Sequence, residues 1–325
     1  MAARTSTPGL GALARATCGI REHNKPKLWT VGFGYRYQQS FRHFVGTVEQ
    51  KQRELNGNQI YNLYHLIDVG IERQLTRRWS VTASLPLIFT HRNQLYPPSG
   101  RQVLNGIGDA AFGFRAWVFK PPTESGDNIS LGVSLKVPTG DYRATTQAVR
   151  AGQAITASND ISMMGGDGGT GFIVDVGGYK SLPFRTMLYG SALWLSNPRN
   201  TNGVSTFRTA RGEEVFSVTD QYLFRGGAGH PIPWIRGLAG SLGLRMEGVP
   251  VRDIFGQSLG FRRPGYALSI DPGLLYARGP YTFSVNGPWA VKRNRRASVP
   301  DIARGAHGDA AFADYTILFG VSRRF

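Results

Sequence analysis

Residues 128–137 read "NISLGVSLKV". Ile129, Leu131, Val133, Leu135 and Val137 share one parity, and Ser130, Gly132, Ser134 and Lys136 share the other. A period of two marks a strand with one apolar and one polar face. The pattern recurs. Trp29, Val31, Phe33, Tyr35 and Tyr37 oppose Gly32, Gly34 and Arg36. Tyr61, Leu63, Ile67, Val69 and Ile71 oppose Asn62, Tyr64, Asp68, Gly70 and Glu72. Residues 79–90 and 110–118 alternate in the same way, and less regular versions occupy 171–179, 184–195, 220–229, 237–247, 264–277 and 281–291.

A last strand, "YTILFGVSRRF" (315–325), sets Tyr315, Ile317, Phe319, Val321 and Phe325 against Thr316, Gly320, Ser322 and Arg324. Left unpaired, it would be an exposed sticky edge. Pairing it with the first strand removes the edge, which is the only way a sheet in lipid can bond every backbone N–H and C=O. The count is twelve, within bounds of ten to fourteen.

The connections alternate in length. Tight ones rich in Pro and Gly fall at 74–78, 120–127, 181–183, 230–233 and 278–280. Long polar ones fall near 40–58, 91–105, 139–168, 196–217, 248–262 and 292–310. Brief periplasmic turns alternating with longer extracellular loops are the plan of a transmembrane barrel. Roughly 300 residues over twelve strands leave about 25 each, enough for about 10 in the bilayer plus the flanking connections. The expected fold is therefore all-β, a closed antiparallel up-and-down transmembrane barrel over residues 27–325. An even strand count puts both termini on the periplasmic side of an outer membrane. Residues 1–26 read as a tail or the remnant of an export signal. A soluble sandwich would need turns every 8–12 residues, and six connections here are too long for it.

Composition agrees. The chain carries 42 Gly, 18 Phe, 13 Tyr and 6 Trp, with only 18% charged residues, and no apolar run approaches the ~20 residues of a spanning helix. The single Cys18 supports no internal disulfide. Trp29, Trp79 and Trp234 begin strands after tight turns, whereas Trp194 and Trp289 lie toward the opposite ends of theirs; with Phe325 they fit two interfacial aromatic belts.

The 38 Lys and Arg against 21 Asp and Glu give a net charge of +17. Nucleic-acid binding is disfavoured, because the densest basic patch, 292–296, lies between two strand patterns and no helix carries a basic stripe. Arginines spread over the long loops, Arg42, Arg92, Arg101, Arg143, Arg150, Arg199, Arg208, Arg211, Arg262, Arg263 and Arg293, suit an anionic surface such as lipopolysaccharide phosphates. Simple solvated charge fits them equally.

On the polar parity, Arg36, Asp68, Glu72, Asp109, Arg115, Lys136, Asp175, Arg245, Glu247 and Asp271 point into the barrel. They read either as a constriction that sets ion preference or as a ladder of opposite charges filling a narrow lumen. Near-equal numbers of both signs favour the ladder. The loop at 139–168, rich in Ala, Gly, Ser and Thr, is expected to fold in and narrow the pore.

An enzyme is the less favoured class. Of six histidines, five lie in the tail, loops or turns, and His65 falls on the lipid-facing parity. No nucleophile, base and orienting group are spaced as a triad, and neither a cofactor nor a metal is implied. "GGDGGTG" (165–171) precedes a strand rather than the helix a phosphate cradle needs, and reads as a flexible approach to the sixth strand.

Three motifs, "GIGD" (106–109), "LKVPTGD" (135–141) and "GGDGGTG" (165–171), in this order resemble the outer-membrane barrels of the phenol-degradation meta-pathway family. The resemblance implies uptake of hydrophobic or aromatic compounds, and the expected function is a monomeric passive channel for small molecules, inserted by the barrel-assembly machinery. Phe325 resembles that machinery's recognition signal; Arg323 departs from it, standing where an apolar or aromatic residue is usual. A barrel that only binds at its surface is the alternative.

Overall fold

The computed structural model describes residues 28–94, 100–119 and 127–325. It is a closed 12-strand antiparallel barrel. The strands are β1 (Trp29–Val45), β2 (Tyr61–Gln74), β3 (Trp79–Gln94), β4 in two halves (Gly100–Ile107 and Ala110–Trp117), β5 (Asp127–Val137) and β6 (Gly171–Ser181). Then follow β7 (Met187–Ser196), β8 (Gln221–Pro231), β9 (Leu238–Val249), β10 (Gly265–Arg278), β11 in two halves (Tyr281–Asn286 and Trp289–Arg295) and β12 (Ala310–Arg324). Each strand pairs with the next, and β12 closes on β1 from Thr30↔Arg324 to Phe44↔Ala310. No helix among the described residues is long and apolar enough to cross a membrane. The tail at 1–26 and most of the tight turn at 120–127 lie outside the described residues.

The alternation translates directly into faces. In β5 the outward Val133 is 57% exposed and the inward Lys136 5%. Phe33, Ile71, Phe114, Val174, Leu242, Leu274, Val285 and Phe319 continue an outward apolar band around the wall. Polar groups face inward and oily ones outward, the reverse of a soluble barrel.

At the loop end the strands run further than alternation alone indicates. Residues 40–45, 91–94, 100–105, 292–295 and 310, expected as loop, are strand, and β12 begins five residues before the alternation at 315. Beyond an apolar band both faces of a strand meet polar surroundings, so amphipathic alternation fades while backbone pairing continues.

Both halved strands sit opposite a proline. Gly108 N–H, in the break of β4, donates to Pro86 O of β3 at 2.7 Å, and Gly287 N–H, in the break of β11, donates to Pro272 O of β10 at 3.0 Å. A proline inside a sheet removes one ladder donor, so the neighbouring strand bulges there.

Candidate functional site

Ion pairs cross the lumen. Arg36 of β1 reaches across to β9, where its Nη1 and Nη2 donate to Glu247 Oε2 at 3.1 Å and Oε1 at 2.6 Å. Arg245 Nη2 donates to the same carboxylate at 2.9 Å. Arg115 Nη2 donates to Asp175 Oδ1 at 2.9 Å, and Arg225 Nε lies 2.6 Å from Asp271 Oδ2. Asn286 Nδ2 donates to the second Asp271 oxygen at 3.1 Å, while the Arg225 guanidinium stacks on the Tyr189 ring at 5.2 Å. Such pairs offset the desolvation of their ions only when both partners are present; removing one costs roughly 3–5 kcal/mol.

Glycines make room for these groups. Gly132 of β5 is opposite Arg115 of β4 on one side and Asp175 of β6 on the other. The ion pair passes over it, and any side chain there would overlap the Asp175 carboxylate. Tyr189 lies across Gly227 and Gly243, whose added Cβ atoms would each stand 2.7 Å from its hydroxyl.

The three glycine-rich motifs come together as one knot at the break in β4. Thr139 Oγ1 donates to Gly108 O at 2.7 Å and accepts from Ala110 N–H at 2.9 Å. Asp109 Oδ1 accepts from Gly140 N–H at 3.1 Å, and Oδ2 from Lys136 Nζ at 3.2 Å and Asp167 N–H at 3.3 Å. Lys136 also donates to Asp167. A side chain on Gly166 would overlap Asp109. The "GGDGGTG" segment is therefore not a flexible approach but a wedge, glycine-rich because its backbone packs against a carboxylate and a neighbouring loop.

Above the knot, the loop at 139–168 divides. Thr145–Arg150 and Gln153–Ser158 form a hairpin beside the upper half of β4, where Thr146 Oγ1 donates to Arg101 O at 3.5 Å. Residues 159–166 turn inward, with Asn159 and Met163 fully buried. Asp160 is their anchor: Arg263 forks onto it with two bonds of 2.6 Å, and Arg92 Nη2 stands at 3.3 Å. Burial alone would raise the Asp160 pKa, but Arg263 and Arg92 outweigh it and hold the carboxyl well below its ordinary range. Met164 packs with Phe216 and Phe261 from two other loops, so three loops share one apolar cluster over the barrel.

This changes the reading of the loop arginines. Arg42 pairs with Glu49 and Asp314, Arg208 with Glu213, Arg262 with Asp253, Arg293 with Asp314, and Arg92 and Arg263 share Asp160. These six hold protein carboxylates rather than presenting themselves to external phosphates. Arg101, Arg143, Arg150, Arg199 and Arg211 are exposed.

Between these ion pairs, some of which line it, and the loops lies a chamber of about 630 Å³. Its lining sets an apolar patch, Ala111, Ile173, Leu193, Leu195 and Leu223, among polar and charged groups that include Arg36, Tyr64, Asp68, Asp109 and Lys136. It extends to a seam in the barrel. Pairing between β11 and β12 stops at Trp289↔Tyr315, and the top of β11 bonds instead to Gly46 through a bridge at Arg295. Pro288, Ala290, Ala313, Asp314 and Tyr315 line both the seam and the chamber. The Arg293 side chain spans it, donating from Nε to Ala313 O at 3.1 Å and reaching Asp314.

Of the ten inward charges read from parity, Arg36, Arg115, Lys136, Asp175, Arg245, Glu247, Asp109 and Asp271 enter these ion pairs, Asp68 is buried on the chamber wall, and Glu72 stands apart near the turn end. The reading missed Arg225, although its parity with Leu223 and Gly227 marks it as inward. It also missed Asp160 and Asp167, which no local pattern distinguishes. His65 lies on the outer wall, its Nδ1 2.7 Å from the Tyr35 hydroxyl. Trp29, Trp79, Trp234 and Phe325 are exposed at the turn end; Trp194 and the exposed Trp289 lie loop-ward.

No family model and no curated protein matches the chain. Among solved structures, an outer-membrane channel from Pseudomonas putida F1 superposes with a TM-score of 0.61 at 11% identity, over 94% of this chain and 100% of that one. The β domain of the Bordetella autotransporter BrkA gives 0.48 at 13% identity, over 91% and 100%. The Pseudomonas putida toluene transporter TodX gives 0.45 at 10% identity, over 93% and 90%. The first of these shows a shared fold.

Proposed function

We propose that the chain is a monomeric outer-membrane channel for small, weakly polar molecules, aromatic compounds foremost, with both termini periplasmic. The observation that carries this reading is the chamber of about 630 Å³, whose apolar patch of Ala111, Ile173, Leu193, Leu195 and Leu223 can seat a ring while neighbouring polar groups take a single handle. Its inward charges are engaged with one another, which suits an uncharged solute better than an ion. The fold shared with an outer-membrane channel and the three motifs of the phenol-degradation meta-pathway family support the same reading.

The route follows from the ion pairs. With the lumen crossed by Arg115, Asp175, Arg225, Arg245 and Asp271, passage straight through is hindered, and the seam between β11 and β12 offers a sideways exit to the membrane. The test is uptake of phenol or toluene into vesicles holding the refolded protein, beside single-channel conductance. Saturable uptake with little ion current supports the proposal. Large ion current without aromatic uptake replaces it with an ordinary aqueous pore, and silence in both leaves a barrel that binds at its surface.

A further inference from the structure

Two arginines stand on the outward face of the wall, where an apolar side chain would be expected. Arg323 of β12 is opposite Val31 of β1 and Tyr281 of β11, and Arg73 of β2 is opposite Trp29 of β1. Both are exposed and share the outward parity of the apolar band, at its turn-ward rim. Each is backed by rings: Arg323 lies 4.5 Å from the Phe325 centroid and 5.4 Å from Tyr281, and Arg73 lies 5.1 Å from Trp29. Neither has a carboxylate partner among the described residues. The strip runs over neighbouring strands from Tyr281 through Arg323, Phe325, Trp29 and Arg73 to Trp79. The turn end adds exposed Arg77, Arg78, Lys180, Arg185, Arg236 and Arg278, with Asp127 the exposed acid among the described residues there.

We infer that this strip is a binding site for the phosphodiester of anionic glycerophospholipids, which fixes the depth and orientation of the barrel. A guanidinium stacked on a ring keeps its N–H fork free for phosphate oxygens. Arg73 and Arg323 lie two strands apart with a two-residue offset, about 12 Å in all, so they grip neighbouring headgroups while the rings occupy the interface. The loop end differs, its arginines being largely engaged with carboxylates. This also accounts for Arg323, the departure from the usual assembly signal. The inference rests on the membrane-spanning reading and not on transport.

The test compares wild type with R73Q/R323Q in bilayers that mix phosphatidylcholine with brominated phosphatidylglycerol, reading quenching of tryptophan fluorescence. A basic side chain at an anionic lipid surface is ordinarily worth about fivefold, so wild type should favour phosphatidylglycerol and the double variant should lose most of that preference. R143Q/R150Q, which removes two exposed loop-end charges, should keep it. Equal preference in wild type and R73Q/R323Q, or none in wild type, overturns the inference. A heat-modifiable band for every variant shows that the barrel is folded, separating this failure from failure of the barrel reading.

Discussion

Asp160 and Arg263 face each other across the loop end through two parallel hydrogen bonds of 2.6 Å each. They lie 103 residues apart, in different loops, and Arg92 of β3 joins them at 3.3 Å. One carboxylate thus ties the inward segment 159–166 to two parts of the wall. Parallel forks of this kind are among the stronger ion pairs because geometry and charge act together.

Replacing Asp160 with Asn should release that segment. Two guanidiniums would lose their counter-charge in a largely buried site, at a cost of roughly 3 kcal/mol to the loop cap, while the strands stay paired. D160N should remain heat-modifiable but conduct more than wild type and be cut faster by trypsin after Arg143 or Arg150. Deleting the hairpin at 145–158, which lies outside the inward segment, should change conductance less than D160N. The reverse order would show that the hairpin, and not Asp160, holds the cap.

Acid should loosen the loop end as well, and the sign is fixed. Asp309, which ties the chain before β12 to His43 of β1 and to Arg53, is held at about 2: burial alone would raise it, but the bond from His43 and the charge of Arg53 outweigh that. Asp160 is also held well below its ordinary value. A depressed folded pKa means that the stabilisation is complete above the unfolded value near 4 and is lost as pH falls through the folded one. Conductance should therefore stay level from about pH 8 to 4 and rise only between about 4 and 2. A midpoint near neutrality, measured in a planar bilayer, would point to other groups.

Gly132 offers a test of the ion pairs that cross the lumen. A G132V side chain would occupy the space the Arg115–Asp175 pair crosses, and losing that pair costs about 3 kcal/mol or more. The variant should lose heat-modifiability at a lower temperature than wild type. G106A is the control, since a Cβ on Gly106 meets nothing within 4 Å. Equal melting of the two variants would mean that the pair adds little to the barrel.

The fold was legible because lipid imposes a strict rule: faces must alternate, so strands such as 128–137 announce themselves. The breaks were legible in principle as well, since Pro86 and Pro272 interrupt strand patterns, but which neighbour yields depends on registry. The candidate site was half legible. Parity finds Arg36 and Glu247, and would have marked the overlooked Arg225, yet gives no partner, because Arg36 meets Glu247 211 residues away across the lumen. The cap was not legible at all. Asp160 sits in polar loop sequence, and only folding brings Arg92 and Arg263 to it; the same pairing withdrew from the surface arginines that composition alone assigned there.

The seam makes the last prediction. Arg293 closes it through Ala313 O and Asp314, but Asp314 keeps a second partner in Arg42 at 2.7 Å. R293A should therefore open the seam without leaving Asp314 unpaired, and aromatic uptake into vesicles should accelerate severalfold with little change in ion conductance. Ala290 lines the chamber beside the seam and is 7% exposed. A290W should obstruct the exit and slow uptake, at an overpacking cost of about 1–3 kcal/mol that heat-modifiability would reveal. If the two variants shift uptake in opposite directions and leave ion current alone, solute leaves sideways. If both leave uptake unchanged while D160N raises it, the route runs through the lumen, and the charge pairs at Arg36 and Glu247 must part to let solute pass.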